Sequence, residues 1–202
     1  LMLSSATNPP SCRWCAHVQP GWRCVACGHR GLRAPVLGEA RTAEELGRSF
    51  PGVTVRSSSG SRVLAEVGDH PAIVVSTVGA EPVASAGYAA VVILDTWLTL
   101  AREDLRVNEE ALRRWMGAVG LVRPGGSAAV VGDPVHPVLQ ALLRWDPLGH
   151  ASREWDERAS AHLPPAAGLA TITGSAGAVD DALILLGLPS PTDVLGPVPT
   201  GE

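Results

Sequence analysis

The sequence contains no lysine, and all 16 of its basic residues are arginine. A phosphate-binding loop of the Walker type needs a lysine that reaches the terminal phosphates of a nucleotide. The absence of lysine therefore excludes that loop from this chain. The chain is also rich in alanine, glycine and proline, which is typical of a GC-rich genome, and that bias alone replaces lysine by arginine.

The sequence also lacks any apolar run close to the roughly 20 residues that cross a bilayer. Its first residues, LMLSSATNPP, have neither the basic start nor the long apolar stretch of a secretory signal. We therefore expect a cytoplasmic protein with no membrane partner. The 202 residues, 46% of them hydrophobic, are enough for one folded domain with a small appendage.

Acidic residues are missing from the start of the chain, where Glu39 is the first. Residues 1–62 hold eight Arg against three Glu, a formal charge of +5, whereas residues 63–202 hold eight Arg against 17 acids, a formal −9. Four thiolates on one zinc ion would reduce the first value to about +3. A basic N-terminal part predicts the surface that faces a polyanion. The candidate DNA contacts are Arg13, Arg23, Arg30 and Arg33.

Two tryptophans, Trp14 and Trp22, alternate with these arginines. Stacking of the indole rings on bases is one interpretation. The other, which we favour, is that both rings pack a small metal module against the rest of the chain.

All four cysteines lie within residues 12–27 as two Cys-x2-Cys pairs. A two-residue spacer lets both thiolates of a pair face one tetrahedral ion, and reducing conditions in a cytoplasm argue against a disulfide. We therefore predict a structural zinc site, with zinc as the cofactor and no open coordination position for catalysis. The predicted ligands are Cys12, Cys15, Cys24 and Cys27, and Gly28 directly after the last of them predicts a tight turn.

Strands and helices alternate along the rest of the chain. The apolar runs AIVVSTVG and YAAVVILDTW predict strands buried on both faces. SRVLAEVG predicts a short helix, and LRVNEEALRRWMGAVGLV predicts a longer one whose apolar side consists of Leu105, Leu112, Trp115, Met116 and Val119. The alternation predicts an α/β fold with an open, mainly parallel sheet. The predicted divisions are a disordered lead-in (1–11), a zinc-binding module (12–33), an α/β domain (34–148) and a small C-terminal domain with its tail (149–202).

Several isolated polar residues allow more than one interpretation. Asp95, at the end of a predicted strand, is either a ligand-binding carboxylate or, as we favour, a helix cap. His136 and His150 lie beside Pro and Gly, and we expect both to be solvated loop residues. Acidic and basic pairs four residues apart predict surface ion pairs on the longer helix: Glu109 and Glu110 with Arg113 and Arg114.

Five stretches, in order, resemble the PriA family of replication restart proteins, also called primosomal protein N′. VLGEARTAEELGRSFPGVTV is similar to the family pattern G-T-E-R-x-E-E-E-L-x-x-x-F-P, with matches at Gly38, Arg41, Glu44, Glu45, Leu46, Phe50 and Pro51. AIVVSTVGAEP resembles helicase motif V, VVILDTW the next strand, and DLRVNEEALRRWMGAVG the helix that leads into motif VI. LPPAAGLATITG resembles the start of the family's C-terminal domain. With the cysteine module, the resemblance covers residues 12–174 and implies a RecA-like helicase lobe 2.

The family's nucleotide-binding arginines are missing from this sequence. Where the family has QxxGRAGR, this chain has GAVGLVRPGG, with Leu121 in place of an arginine. Thr77 and Arg123 are what remains of a nucleotide site by this resemblance. The sequence therefore resembles the actinobacterial type with degenerate ATPase motifs, and only a C-terminal portion of it.

The family usually has eight cysteines in two interleaved zinc sites. By that resemblance the two pairs of this chain belong to different zinc ions, and each site is half built. The alternative, which we favour for this chain, is that both pairs hold one zinc ion.

The resemblance implies a DNA-binding protein of replication restart and primosome assembly, helicase-like but without helicase activity. Its implied partners are forked or single-stranded DNA and the primosome and replication proteins. Because the family is an ATP-dependent DNA helicase, one alternative is the C-terminal part of an active 3′-5′ helicase. A weaker alternative is a zinc-ribbon interaction module on a Rossmann-like fold.

Overall fold

The structure is a computed structural model that describes residues 2–3, 11–12, 18–29, 38–60, 62–102, 104–190 and 192–198, the first two pairs by their backbone alone. The chain divides into two compact units. We call Pro35–Glu157 the α/β unit, and Leu1–Ala34 with Arg158–Glu202 the Cys-containing unit. In chain order the described elements are β1 (Met2–Leu3), β2 (Ser11–Cys12), α1 (Glu39–Ser49), β3 (Thr54–Ser58), β4 (Glu66–Val67), β5 (Ala72–Ser76), β6 (Val83–Ala84), β7 (Tyr88–Ile93), α2 (Thr96–Leu100), α3 (Val107–Val119), β8 (Val122–Val130), α4 (Pro137–Arg144), α5 (Pro147–Ser160) and α6 (Ala176–Leu185).

In the α/β unit, α1 packs against the parallel pair β3–β5. Strand register runs from Thr54 opposite Ala72 to Ser58 opposite Ser76. The helix contacts the strands closely, since a Cβ atom on Gly47 would lie 3.9 Å from Val55 Cγ2. The helix ends at Phe50, because the following proline and glycine cannot continue it.

The main hydrophobic core lies between the parallel pair β7–β8 and the helices α3 and α4. Leu112 and Trp115 of α3 are buried, and Met116 and Val119 pack against the core, as the apolar pattern predicts. The prediction for Leu105 is wrong, because this residue precedes α3 and 49% of its surface is exposed. The remaining members of the buried cluster are small or aliphatic: Ile93, Ala111, Val138, Leu139, Ala141 and Leu142. The α/β class and the parallel pairing of these strands are therefore confirmed, as short pairs among the described residues. The predicted burial of the YAAVVILDTW strand on both faces is wrong, because Ala89, Ala90 and Val92 of β7 are exposed.

The short helix predicted for SRVLAEVG is wrong. In the described part of that stretch, Glu66 and Val67 form β4, which pairs in parallel with β6. The Ser58 hydroxyl accepts a hydrogen bond from the Leu64 backbone N–H at 2.9 Å. The backbone of this stretch is thus satisfied by a side chain and a strand, and these bonds take the place of helical ones.

Helix α5 was not among the predicted elements, and it changes the interpretation of His150. The prediction of a solvated loop histidine is wrong, because His150 lies on α5 with only 3% of its surface exposed. Asn108, in the first turn of α3, donates to Glu154 of α5 at 2.9 Å. Contacts with α3 therefore place the polar side of α5 inside the unit.

In the Cys-containing unit, β1 and β2 pair antiparallel, with Met2 opposite Cys12. None of the residues of α6 is buried. No described helix of either unit combines the length and apolar character needed to cross a membrane. The boundaries predicted from the sequence for the four divisions of the chain stay predictions.

Candidate metal and nucleic-acid site

The second cysteine pair lies on a tight turn. The Cys24 N–H donates to the His29 carbonyl at 2.8 Å, and the Gly28 N–H donates to the Cys24 carbonyl at 2.8 Å. Gly28 has a φ of 69°, a left-handed conformation that glycine adopts without steric cost. The turn therefore brings Cys24 and Cys27 to one side of a short loop, and Gly28 permits the geometry.

Backbone groups of this turn stabilise a thiolate. The N–H groups of Ala26 and then Cys27, with the Cys27 side chain, lower the pKa of the Cys24 thiol below its ordinary value. Metal ligation and nucleophilic chemistry both need the thiolate form of cysteine. Cys24 is half-buried and Cys27 is exposed, and both are free thiols.

Cys24 and Cys27 are the second pair of the four predicted zinc ligands. Cys15 and the side chain of Cys12 lie outside the described residues, so the prediction of a four-cysteine site stays a prediction. Within the described ranges, no three cysteine, histidine or acidic residues come together as a metal site. A bound zinc ion would cross-link the thiolates of this loop, in addition to the backbone hydrogen bonds that fix it.

Arg23 directly precedes this turn and is exposed. The other three predicted DNA contacts, Arg13, Arg30 and Arg33, lie outside the described residues, as does Trp14. Trp22 is half-buried, and its backbone N–H donates to the Gln19 carbonyl at 3.2 Å. The structure thus describes one arginine of the predicted basic surface, in a position open to solvent.

A second candidate site is a cleft of about 330 Å³ in the α/β unit. It lies between the loop that follows β5 and the C-terminal half of α3, the two stretches that resemble helicase motifs V and VI. Its walls are Gly79, Glu81, Arg113, Arg114, Gly117, Ala118 and Leu121. We call this space the motif cleft.

The polar side chains in the walls of the motif cleft already have hydrogen-bond partners within the α/β unit. Both carboxylate oxygens of Glu81 accept the Gly79 N–H at 2.9 Å. Arg114 donates through Nη1 to the Val78 carbonyl at 3.3 Å and through Nε to Glu110 at 2.5 Å. These bonds fix the loop to α3.

Glu110 also pairs with the second arginine of the cleft. Arg113 donates through Nε and Nη2 to the two oxygens of Glu110, each at 2.8 Å. The hydrogen bonds from Arg113 and then Arg114 lower the pKa of Glu110 to about 2. A phosphate group that entered the cleft would therefore compete with a carboxylate for both guanidinium groups.

Neither predicted remnant of a nucleotide site forms a wall of the motif cleft. Thr77 is exposed at the end of β5, where its N–H donates to the Ser58 carbonyl at 3.1 Å. Arg123 is exposed near the start of β8. Leu121, at the position where the family has an arginine, is a wall of the cleft and supplies no positive charge.

Asp95 and His136 both stand at helix N-termini. Asp95 precedes α2 with a φ of 52° and makes no side-chain capping bond. His136, predicted to be merely solvated, caps α4, because its Nδ1 accepts the Val138 N–H at 3.3 Å. The Pro137 that follows it is typical of a first helical position, and that signal was available in the sequence.

Sequence reasoning also missed the buried polar group of α5. His150 Nε2 lies 4.0 Å from Glu154 Oε1, and the two residues are one helical turn apart. Their spacing of four is a visible signal once α5 is recognised as a helix.

Individual proteins match this chain over almost its whole length, whereas no protein-family profile matches it. The protein named probable replication restart protein PriA from Mycobacterium tuberculosis is 48% identical over 206 residues, which cover 98% of this chain and 32% of that protein. The protein of the same name from Mycobacterium leprae is 47% identical over 200 residues, with 98% and 31% covered.

The chain belongs to the PriA family and matches a C-terminal part of its members. It spans about a third of the length of these curated relatives. The resemblance to the PriA family is therefore confirmed.

Proposed function

We propose that this PriA-family chain is a DNA-binding part of a replication restart protein, with a role in primosome assembly and no ATP hydrolysis of its own. The observation that carries the proposal is the 48% identity, over 98% of the chain, to proteins named for replication restart. Forked or single-stranded DNA and other replication proteins are the partners.

The DNA-facing surface in this proposal is the predicted zinc-binding module, residues 12–33. Its four arginines, of which Arg23 is described and exposed, stand without any acidic residue and supply contacts for phosphates, whose neutralisation dominates DNA affinity. Zinc held by Cys12, Cys15, Cys24 and Cys27 gives that segment its shape. The low pKa of the Cys24 thiol supports ligation at this turn.

The motif cleft supports the absence of ATP hydrolysis. Phosphoryl transfer depends on cations placed around the phosphates. Here Arg113 and Arg114 are paired with Glu110, and Leu121 contributes no charge. The chain also has no lysine for a phosphate-binding loop.

The test is the affinity of the purified chain for forked DNA, measured by fluorescence anisotropy over a range of salt concentrations. Substitution of one phosphate contact lowers the slope of log K against log salt by about 1. We expect this for Arg23→Ala and no change for Arg144→Ala, an exposed arginine in the acidic part of the chain. No binding at low salt, or equal effects of both substitutions, would contradict the proposal.

The second candidate is the C-terminal part of an active 3′-5′ helicase, which the same relatives favour because this chain spans about a third of them. ATP hydrolysis stimulated by forked DNA separates the two candidates when it is measured on the full-length Mycobacterium tuberculosis relative with its matched region replaced by this chain. We expect none above a preparation treated identically and carrying no such protein. Hydrolysis that copurifies with the full-length protein would favour the helicase.

A further inference from the structure

Helix α5 buries polar side chains and exposes apolar ones. His150 and Glu154 lie one helical turn apart, and only 4% and 13% of their side chains are exposed. Leu148 and Trp155 of the same helix are exposed. The contact of α5 with α3 therefore depends on polar groups, whose state of protonation changes with pH.

One ring nitrogen of His150 is buried without a bond. Nε2 has no hydrogen-bond partner among the described residues, and it lies 4.0 Å from Glu154 Oε1. An N–H···O hydrogen bond needs a separation of about 2.7–3.2 Å, so the two atoms are close but not bonded. A buried polar atom left unpaired is destabilising and is rare in folded proteins.

Glu154 is held beside the imidazole by α3. The side-chain amide of Asn108, in the first turn of α3, donates to Glu154 Oε1 at 2.9 Å. A carboxylate can accept from more than one donor. Glu154 is therefore a largely buried negative charge in a fixed position, next to a group that can become positive.

The other charged groups around this contact have partners elsewhere or are exposed. Asp146, which precedes α5, lies 3.9 Å from Arg153, and Arg158 donates to the Pro164 carbonyl at 3.4 Å. The charged residue of α4, Arg144, is exposed. The charged residues of α3 pair with one another or with the residue before the helix: Arg106, Glu109, Glu110, Arg113 and Arg114. Among the described ion pairs, Glu154 is thus the partner of His150.

We propose that His150 and Glu154 form a pH-sensitive contact that attaches α5 to α3. A proton taken up from solvent gives the imidazole a positive charge and an N–H on both nitrogens. A movement of about 1 Å then brings Nε2 within hydrogen-bond range of the carboxylate. The unpaired nitrogen gains an acceptor, and the buried carboxylate gains a counter-charge. Such charge-assisted bonds are stronger than neutral ones, so α5 is held more firmly.

This contact strengthens as the pH falls through the range in which imidazoles titrate, about pH 8 to 5. In the unfolded chain the protonated ring is solvated and gains no such bond, so the pair stabilises the folded form at the acid end of the range. At the alkaline end the ring is neutral and Nε2 is unpaired. His136 has the opposite dependence, because its Nδ1 accepts the Val138 N–H at 3.3 Å and a proton there removes the acceptor.

Thermal unfolding of the 202-residue chain at about pH 5.5 and about pH 8 tests the proposal. His150→Gln places an amide nitrogen near the position of Nε2 and cannot become charged. We expect the thermal midpoint of the unmodified chain to exceed that of His150→Gln by about 2 °C more at the acid pH than at the alkaline pH. His136→Gln should give a change of the opposite sign, and His70→Gln, at an exposed position, none.

Glu154→Gln identifies the partner. It removes the negative charge and keeps an acceptor for Asn108, so in its presence His150→Gln should have the same effect at both pH values. An effect of His150→Gln on the unmodified chain that is equal at the two pH values, or larger at the alkaline one, would overturn the proposal. So would a pH dependence that persists with Glu154→Gln.

Hydrogen exchange of the unmodified chain decides the case if the variants fail to fold. Protection of the α5 amides relative to those of α1, corrected for intrinsic exchange rates, should rise about tenfold from the alkaline to the acid pH. A ratio that does not rise would overturn the proposal. These measurements involve no DNA, so this proposal and the proposed function fail separately.

Discussion

The β7–β8 core with α3 and α4 and the turn at Cys24–His29 are held in shape by different kinds of interaction. The core excludes solvent: Trp115, Val138 and Ala111 are at most 2% exposed. In the turn every residue except Cys24 is exposed, including Val25, and the fixed geometry comes from two backbone hydrogen bonds. The first region is therefore stabilised mainly by apolar burial, and the second by hydrogen bonds of its backbone.

The largest effect should come from removing the centre of the core. Trp115 is 2% exposed, so Trp115→Ala removes a buried indole ring and leaves a cavity. The substitution should lower the free energy of unfolding by about 3–5 kcal/mol. Trp155→Ala is the matched control, because 51% of Trp155 is exposed, and should cost about 1 kcal/mol or less. Urea unfolding followed by far-UV circular dichroism measures both, and equal losses would contradict the description of the core.

A smaller effect should come from two glycines of the same region. Gly87 has a φ of 71°, and a Cβ atom there would lie 2.9 Å from Arg123 Cβ and 3.0 Å from its backbone. Gly87→Ala should therefore cost about 1–3 kcal/mol.

Gly117→Ala is the control for that substitution. Nothing lies within 4 Å of a Cβ atom at Gly117, in α3, so the change should stabilise the protein by up to about 1 kcal/mol. Urea unfolding again measures both. The same sign of effect at the two positions would contradict the backbone geometry described.

The smallest effect should come from the ion pairs at the motif cleft, which are exposed to solvent. Arg113 and Arg114 lower the pKa of Glu110 from 4.5 to about 2, so its contribution to stability is fully present above pH 4.5 and is lost as the pH falls toward 2. Glu110→Gln should therefore destabilise the protein at neutral pH and lose that effect at the acid end of the window.

Glu109→Gln is the matched control, since the Glu109–Arg106 contact is longer, at 3.4 Å. Unfolding of both variants at a series of pH values, with the Glu110 carboxyl followed by NMR, gives the comparison. A Glu110 midpoint near 4.5 would contradict the paired geometry.

Much of the core was predictable because buried apolar residues recur at regular spacings in the sequence. The apolar spacing of α3 places Leu112 and Trp115 correctly, and the runs in β5 and β7 predict parallel strands. Helix α5 escaped prediction because its side toward α3 is polar, with His150 and Glu154 there, while Leu148 and Trp155 are exposed. An apolar pattern cannot reveal a helix that buries its polar side.

The tight turn of the candidate metal site was predictable from the sequence, whereas the side-chain contacts of the motif cleft were not. The spacing and the following glycine of Cys24 and Cys27 predict a tight turn, and the structure has one. The pairing of Arg113 and Arg114 with the same carboxylate, Glu110, depends on side-chain rotamers that sequence spacing alone does not fix. The motif cleft likewise brings together residues 36 positions apart, Val78 in the loop after β5 and Arg114 on α3.

The affinity of the chain for forked DNA, measured with and without zinc, tests most directly whether the cysteines organise the DNA-binding surface. We expect one zinc ion per chain by metal analysis, and binding that weakens at least about tenfold when a chelator removes it, because the basic segment then loses its shape. The far-UV spectrum of the β7–β8 core should hardly change. Equal affinity of the zinc-loaded and metal-stripped chains would contradict the claim that the cysteines organise the DNA-binding surface.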